Sequence, residues 1–153
     1  MKRFLLGVGN RLSRDDGVGP FVAQAMDGAT GWTAIDCGTS LENISGIITR
    51  EKPDLLVLVD AAQMDVSPGE VRLLPSTGTD RMLVSTHGLP LPFVLDRLRQ
   101  HVGRIELIGI QISDVSLGEG LSPDVLVGAK RLVSALCDGT WTEIQRIGTQ
   151  RPR

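Results

Sequence analysis

The chain has 153 residues, 41% of them apolar, which is the size of one domain with one core. Its 16 Lys and Arg stand against 18 Asp and Glu, for a formal net charge of −2. Neither sign forms a long block, which argues against nucleic acid or an anionic membrane as partner and for a protein or small molecule.

Residues 1–9 are basic and then apolar, but the apolar run stops too soon for a signal sequence. Residues 4–8 therefore read as a first strand buried on both faces, ending at Gly9-Asn10. After a polar loop over 11–19, Phe21, Val22, Ala25 and Met26 recur at helical spacing up to Gly28. Residues 32–35 give a second strand leading into Asp36-Cys37-Gly38-Thr39. Thr39 and Glu42 have capping-box spacing, Leu41, Ile44 and Ile48 form a stripe, and Pro53 stops that helix. The most apolar run, 55–59, is expected to be the central strand and ends on Asp60. Ser67-Pro68-Gly69 makes a turn, and the brief run 71–74, followed by Pro75 and a Ser/Thr/Gly loop, reads as an edge strand. A helix over 90–101 should bury Val94, Leu95 and Leu98, and residues 105–112 supply a fifth strand. Ser122-Pro123 is an N-cap followed by proline at the first helical position, and Leu126, Ala129, Leu132, Val133 and Leu136 stripe the last helix. From about residue 141 the chain has no clear period, and a loose tail is expected. The order implies one α/β domain over residues 1–153, a three-layer αβα sandwich with a mostly parallel sheet. No run approaches the roughly 20 apolar residues of a membrane-spanning helix, so no membrane insertion is expected.

In open α/β sheets ligands bind beyond the carboxyl ends of the strands. The first strand is followed there by Asp15-Asp16-Gly17-Val18-Gly19-Pro20, the third ends on Asp60, and His87 lies in the loop before the third helix. Two carboxylates and an imidazole from three loops suit a borderline divalent ion such as nickel, zinc or iron, with open positions for water or substrate. The same trio suits acid–base work without a metal. Each residue also has a structural reading: Asp60 as a turn cap, Asp16 as a charge at a helix N-terminus, His87 as a solvated loop histidine. Gly7-Val8-Gly9-Asn10 lacks the third glycine of a dinucleotide fingerprint and precedes an acidic segment, which excludes a pyrophosphate there. Cys37 and Cys137 are far apart and in no metal-like cluster. They read as buried thiols in a reducing, cytoplasmic compartment. His101 reads as solvated at a charged helix end, and Gly38 as serving a tight turn or a close backbone approach after the second strand.

Taken together, Gly7-Val8-Gly9-Asn10, Asp15-Asp16-Gly17-Val18-Gly19, Asp36-Cys37-Gly38-Thr39, Val59-Asp60-Ala61, Thr86-His87 with Pro90-Leu91, and Gly109-Ile110-Gln111 resemble the peptidases that mature NiFe hydrogenases. The resemblance runs from Phe4 to about Leu136. It implies a five-stranded sheet in order 2-1-3-5-4 with strand four antiparallel. It also implies an endopeptidase that removes the C-terminal extension of a NiFe-hydrogenase large-subunit precursor once nickel is in place. Asp16, Asp60 and His87 map onto the family's catalytic, metal-contacting trio. They would read the nickel of the substrate, with no permanent cofactor and a monomeric enzyme, while Gly38 and Thr39 border the cleft as a substrate loop. Thr86-His87-Gly88-Leu89-Pro90 is similar to the branch serving formate-hydrogenlyase or energy-converting hydrogenases. Cys37 stands where many relatives have Gly, and Ile112 where proline is familiar. The rival readings are a nickel chaperone built on the same trio, and a hydrolase or phosphorylase acting on a small molecule.

Overall fold

A computed structural model of the chain describes residues 1–75 and 91–147. Strands β1 (Arg3–Val8), β2 (Thr33–Gly38), β3 (Leu55–Ala62), β4 (Val71–Leu74) and β5 (Arg104–Gln111) form a single sheet in the order β2-β1-β3-β5-β4. The pairs β1–β2, β1–β3 and β3–β5 are parallel and β4 runs antiparallel to β5, as the family resemblance implied. Helices α1 (Val18–Ala25), α2 (Ser45–Glu51), α3 (Leu91–Leu98) and α4 (Pro123–Asp138) connect or follow the strands.

Alternation along the strands splits the apolar side chains between two cores. Leu5, Val57, Val59, Ile108 and Ile110 pack with α1 and α4, whereas Phe4, Leu6, Val8, Leu56, Leu58 and Leu107 pack with α2 and α3. All eight residues of β3 are buried, as a central strand covered on both faces requires. Each Leu or Val buried there contributes roughly 1.5–3 kcal/mol of transfer free energy.

Several local expectations are corrected. In α1 the buried residues include Val18, Val22 and Ala23, with Met26 just beyond, while Ala25 is exposed. In α4 Val125 is buried where Leu126 and Val133 are only half-buried. That helix lies against the turn at Gly69, because a Cβ on Gly128 would stand 2.0 Å from the Gly69 carbonyl oxygen, and this contact turns the stripe by one residue. Thr39 is not the N-cap of α2. Residues Leu41–Ile44 make a 3-10 turn, α2 begins only at Ser45, and its N-cap position, Ile44, offers no side-chain hydrogen bond. The stripe of Leu41, Ile44 and Ile48 is nevertheless buried. The segment after residue 140 is docked as far as residue 147. Trp141 is buried, the Gln145 carbonyl accepts a hydrogen bond from the Leu73 amide at 3.0 Å, and the Ile147 amide donates to the Leu73 carbonyl at 3.0 Å. Arg146 also pairs with the buried Glu106, which Arg104 holds at 2.9 Å.

At its first turn helix α1 approaches the strands closely enough to leave no room for a side chain at the contact. A Cβ on Gly19 would lie 2.3 Å from the Val8 carbonyl oxygen and 2.5 Å from that of Val59, and a Cβ on Gly7 would lie 2.1 Å from the Gly19 carbonyl oxygen. Every one of these obstacles is backbone. Gly19→Ala is therefore expected to cost about 3 kcal/mol, measured as a lower urea midpoint with an unchanged slope.

Candidate active site

Beyond β1 the chain passes Gly9 and Asn10 and enters a 3-10 turn, Arg14–Gly17, which packs against β3. Gly9 adopts φ +151°, and a Cβ there would sit 1.9 Å from the Asp16 carbonyl oxygen, so only glycine lets the turn rest on the end of β1. Asp16 is 4% exposed, and its Oδ2 accepts the Asn10 amide at 3.0 Å.

Asp60 lies within β3, two residues before its end, and is 2% exposed. Alternation puts it on the face of Leu56, Leu58 and Ala62, the one covered by α2 and α3. Its partner in register on β5 is Gly109. On the β1 side Gly7 pairs with Val59, which puts Asp60 level with the step from Val8 to Gly9. Asp16 and Asp60 thus occupy the carboxyl end of the two central parallel strands. Such carboxylates serve as hard ligands or as general bases. His87 lies outside the described residues; it precedes Leu91, the first residue of α3, by four positions. Among the described residues no three or more His, Cys, Asp or Glu side chains gather into a metal-holding group.

Asp15 differs from its neighbour. Fully buried, it accepts the amides of Ser113 at 2.9 Å and Asp114 at 2.8 Å on Oδ2, the Ser122 amide at 2.7 Å on Oδ1, and the Ser122 hydroxyl at 2.8 Å on Oδ2. Its own amide donates to the Asp114 carbonyl. This carboxylate binds the turn to the loop between β5 and α4. Ser122 occupies the N-cap position of α4 as expected, but makes no side-chain bond to the helix. Nothing in the sequence links Asp15 to partners about a hundred residues away; only the unassigned acidic pair hinted at it.

The other loops at this edge are also tied down. Gly38 has φ +54°, its amide donates to Asp36 Oδ1 at 2.9 Å, and its carbonyl accepts the Gly9 amide at 2.8 Å. Arg11 reaches across to Asp36 Oδ2 at 3.0 Å and to the Pro20 carbonyl at 3.2 Å. Gly38 therefore borders the same edge as Asp16, with Thr39 exposed beside it. Gln111 accounts for the last residue of Gly109-Ile110-Gln111. Its Oε1 accepts the Met64 amide at 2.7 Å and its Nε2 donates to Gln63 Oε1 at 2.9 Å, which fixes the chain leaving β3.

The thiols are not both buried: Cys37 is half-buried and Cys137 is exposed on α4. Burial, and after it the neighbouring Asp36 carboxylate, push the Cys37 thiol up to about 12, so it stays protonated at neutral pH and is no nucleophile. His101 is half-buried at the end of the 3-10 turn Arg99–His101. Among the described residues no helix is long and apolar enough to cross a membrane.

Two outcomes are expected. Asp15→Ala leaves three amides and a hydroxyl unanswered in the interior and should lower the unfolding free energy by about 3 kcal/mol, read from urea denaturation. Brief iodoacetamide treatment at neutral pH, followed by peptide mass mapping, should label Cys137 well ahead of Cys37; equal labelling would contradict the shielding of Cys37.

Residues 22–138 match the family described as HycI, hydrogenase maturation protease. The chain is 36% identical over 114 residues to the hydrogenase 3 maturation protease of Escherichia coli K12, covering 72% of this chain and 73% of that relative. Among solved structures, the endopeptidase HycI from Escherichia coli has a TM-score of 0.87 at 26% identity, covering 99% of this chain and 100% of the other. The [NiFe] hydrogenase maturation protease HycI from Thermococcus kodakarensis has a TM-score of 0.81 at 32% identity, covering 90% of each chain.

Proposed function

The chain belongs to the hydrogenase maturation protease family, and on that premise we propose that it removes the C-terminal extension of a NiFe-hydrogenase large-subunit precursor after nickel has been inserted. Peptidase activity follows from membership. The observation that carries it is the pair of buried carboxylates, Asp16 and Asp60, at the carboxyl end of β1 and β3.

Nickel is here part of the substrate, held by the precursor. Two carboxylates and the imidazole of His87 supply the oxygen and nitrogen donors that a borderline divalent ion accepts. In this reading they recognise the metal and so bring the adjoining peptide segment to the site. One carboxylate takes a proton from water as the oxygen attacks the scissile carbonyl carbon, and the proton passes to the departing amine. Gly38 and Thr39 border the segment to be cut. A folded metalloprotein substrate and the absence of a cysteine framework support a cytoplasmic location. Similarity to HycI proteins supports a cognate hydrogenase of the formate-hydrogenlyase or energy-converting branch.

Incubation with a nickel-loaded precursor should shorten that precursor at its C-terminus, seen as a mass loss, and leave the nickel-free precursor intact. Asp16→Asn, Asp60→Asn and His87→Ala should each reduce cleavage by about a hundredfold or more. A loaded cognate precursor that stays whole, while the protein binds nickel tightly on its own, overturns the protease reading in favour of a chaperone.

A further inference from the structure

Three large apolar side chains stand in solvent at the carboxyl edge of the sheet. Leu117 is 86% exposed, Leu12 55% and Val115 41%. They belong to two loops that are joined backbone to backbone: the Gly118 amide donates to the Leu12 carbonyl at 2.8 Å, the Arg14 amide donates to the Gly118 carbonyl at 3.0 Å, and Ser13 pairs with Gly118. Asn10 Oδ1 accepts the Leu12 amide at 2.9 Å, and Asp114 Oδ1 accepts the Ser116 amide at 2.9 Å. The Asp15 carboxylate clamps both loops from beneath. These side chains are thus displayed on a preorganised platform, which lowers the ordering cost of binding.

Two of the neighbouring cations are already paired, Arg11 with Asp36 and Arg14 with Asp114, while Glu119 stands exposed at the margin. Burial of apolar area is thus what the three side chains themselves offer, and apolar clusters rimmed by polar residues mark protein-binding surfaces. A groove of about 340 Å³ runs alongside, with Phe21, Leu121 and Leu126 among its lining. The platform is continuous with the site through Asn10, whose side chain holds the Leu12 amide and whose own amide donates to Asp16. A folded protein that brings its terminal segment to Asp16 therefore comes close to this loop.

We propose that Leu12, Val115 and Leu117 form the surface on which the folded body of the large-subunit precursor docks, through an apolar patch of its own near the emerging C-terminal segment. This rests on the reading in the preceding subsection. The platform holds the globular part of the substrate, whereas Asp16 and Asp60 meet the segment to be cut.

The test measures binding and cleavage of the nickel-loaded precursor separately. The double variant Leu12→Ser/Leu117→Ser should weaken binding by about tenfold or more and raise KM in parallel, with kcat within about twofold. Both side chains are exposed, so its melting temperature should match the original. Val127→Ser, a control at an exposed apolar position on α4 outside the platform, should change neither. Unchanged binding by the double variant overturns the docking proposal while leaving the protease reading intact. A wild-type protein that binds but does not cut overturns the protease reading alone, and one that does neither overturns both. Self-association of the wild type that the double variant loses, with precursor binding unchanged, assigns the platform to a second copy and overturns the proposal.

Discussion

Backbone touches backbone where the first turn of α1 meets the ends of β1 and β3, and the edge of the sheet is organised by that closeness. Gly7, Gly9 and Gly19 each face a carbonyl oxygen at a distance that no Cβ could occupy. The repeated glycines of Gly7-Val8-Gly9 and Gly17-Val18-Gly19 serve a packing purpose, in place of the phosphate binding that the acidic residues between them exclude. Without this closeness the turn carrying Asp15 and Asp16 would ride several ångströms higher, and the Asn10 amide would not reach Asp16.

Two adjacent aspartates divide the work of the turn. Asp15 is enclosed by three amides and a hydroxyl, a set of donors that stabilises a buried charge without a cation. That leaves it fully committed to holding loops together. Asp16, one residue on, faces the end of β1 and reaches the edge that Asp60 shares. On the far side Gln111 performs a matching task by fixing the chain after β3. The edge is thus bordered by segments held by internal polar contacts, and Leu12, Val115 and Leu117 stand outward among its exposed polar residues.

The strands were legible because an unbroken apolar run such as 55–59 has few alternatives in a chain of this size, although β3 runs on past Asp60 to Ala62. The brevity of 71–74 and Pro75 gave away its edge position. Helix stripes were readable to within one residue, and they slipped where a glycine, as at Gly128, chose the contacting face instead of the largest side chain. Asp16 and Asp60 could be placed at the carboxyl edge because the rule for parallel sheets needs only the ends of strands. The role of Asp15 was hidden, since its partners are mostly main-chain amides that carry no residue signature. The docking of 145–147 was hidden for the same reason: it depends on main-chain pairing with Leu73, and the period of the sequence there is silent. His87 lies outside the described residues.

The short pairing of Gln145 and Ile147 with Leu73 has a consequence for how the molecule coexists with its own kind. A strand at the margin of a sheet offers a row of donors and acceptors to any extended chain that passes. Here residues 145–147 occupy that row at Leu73, and Arg72 turns its guanidinium back onto the Val71 carbonyl. The margin is therefore covered from within at Leu73. A shortened chain ending before Gln145 would keep its core and its carboxylates, yet would present at β4 an unsatisfied template for pairing with neighbours.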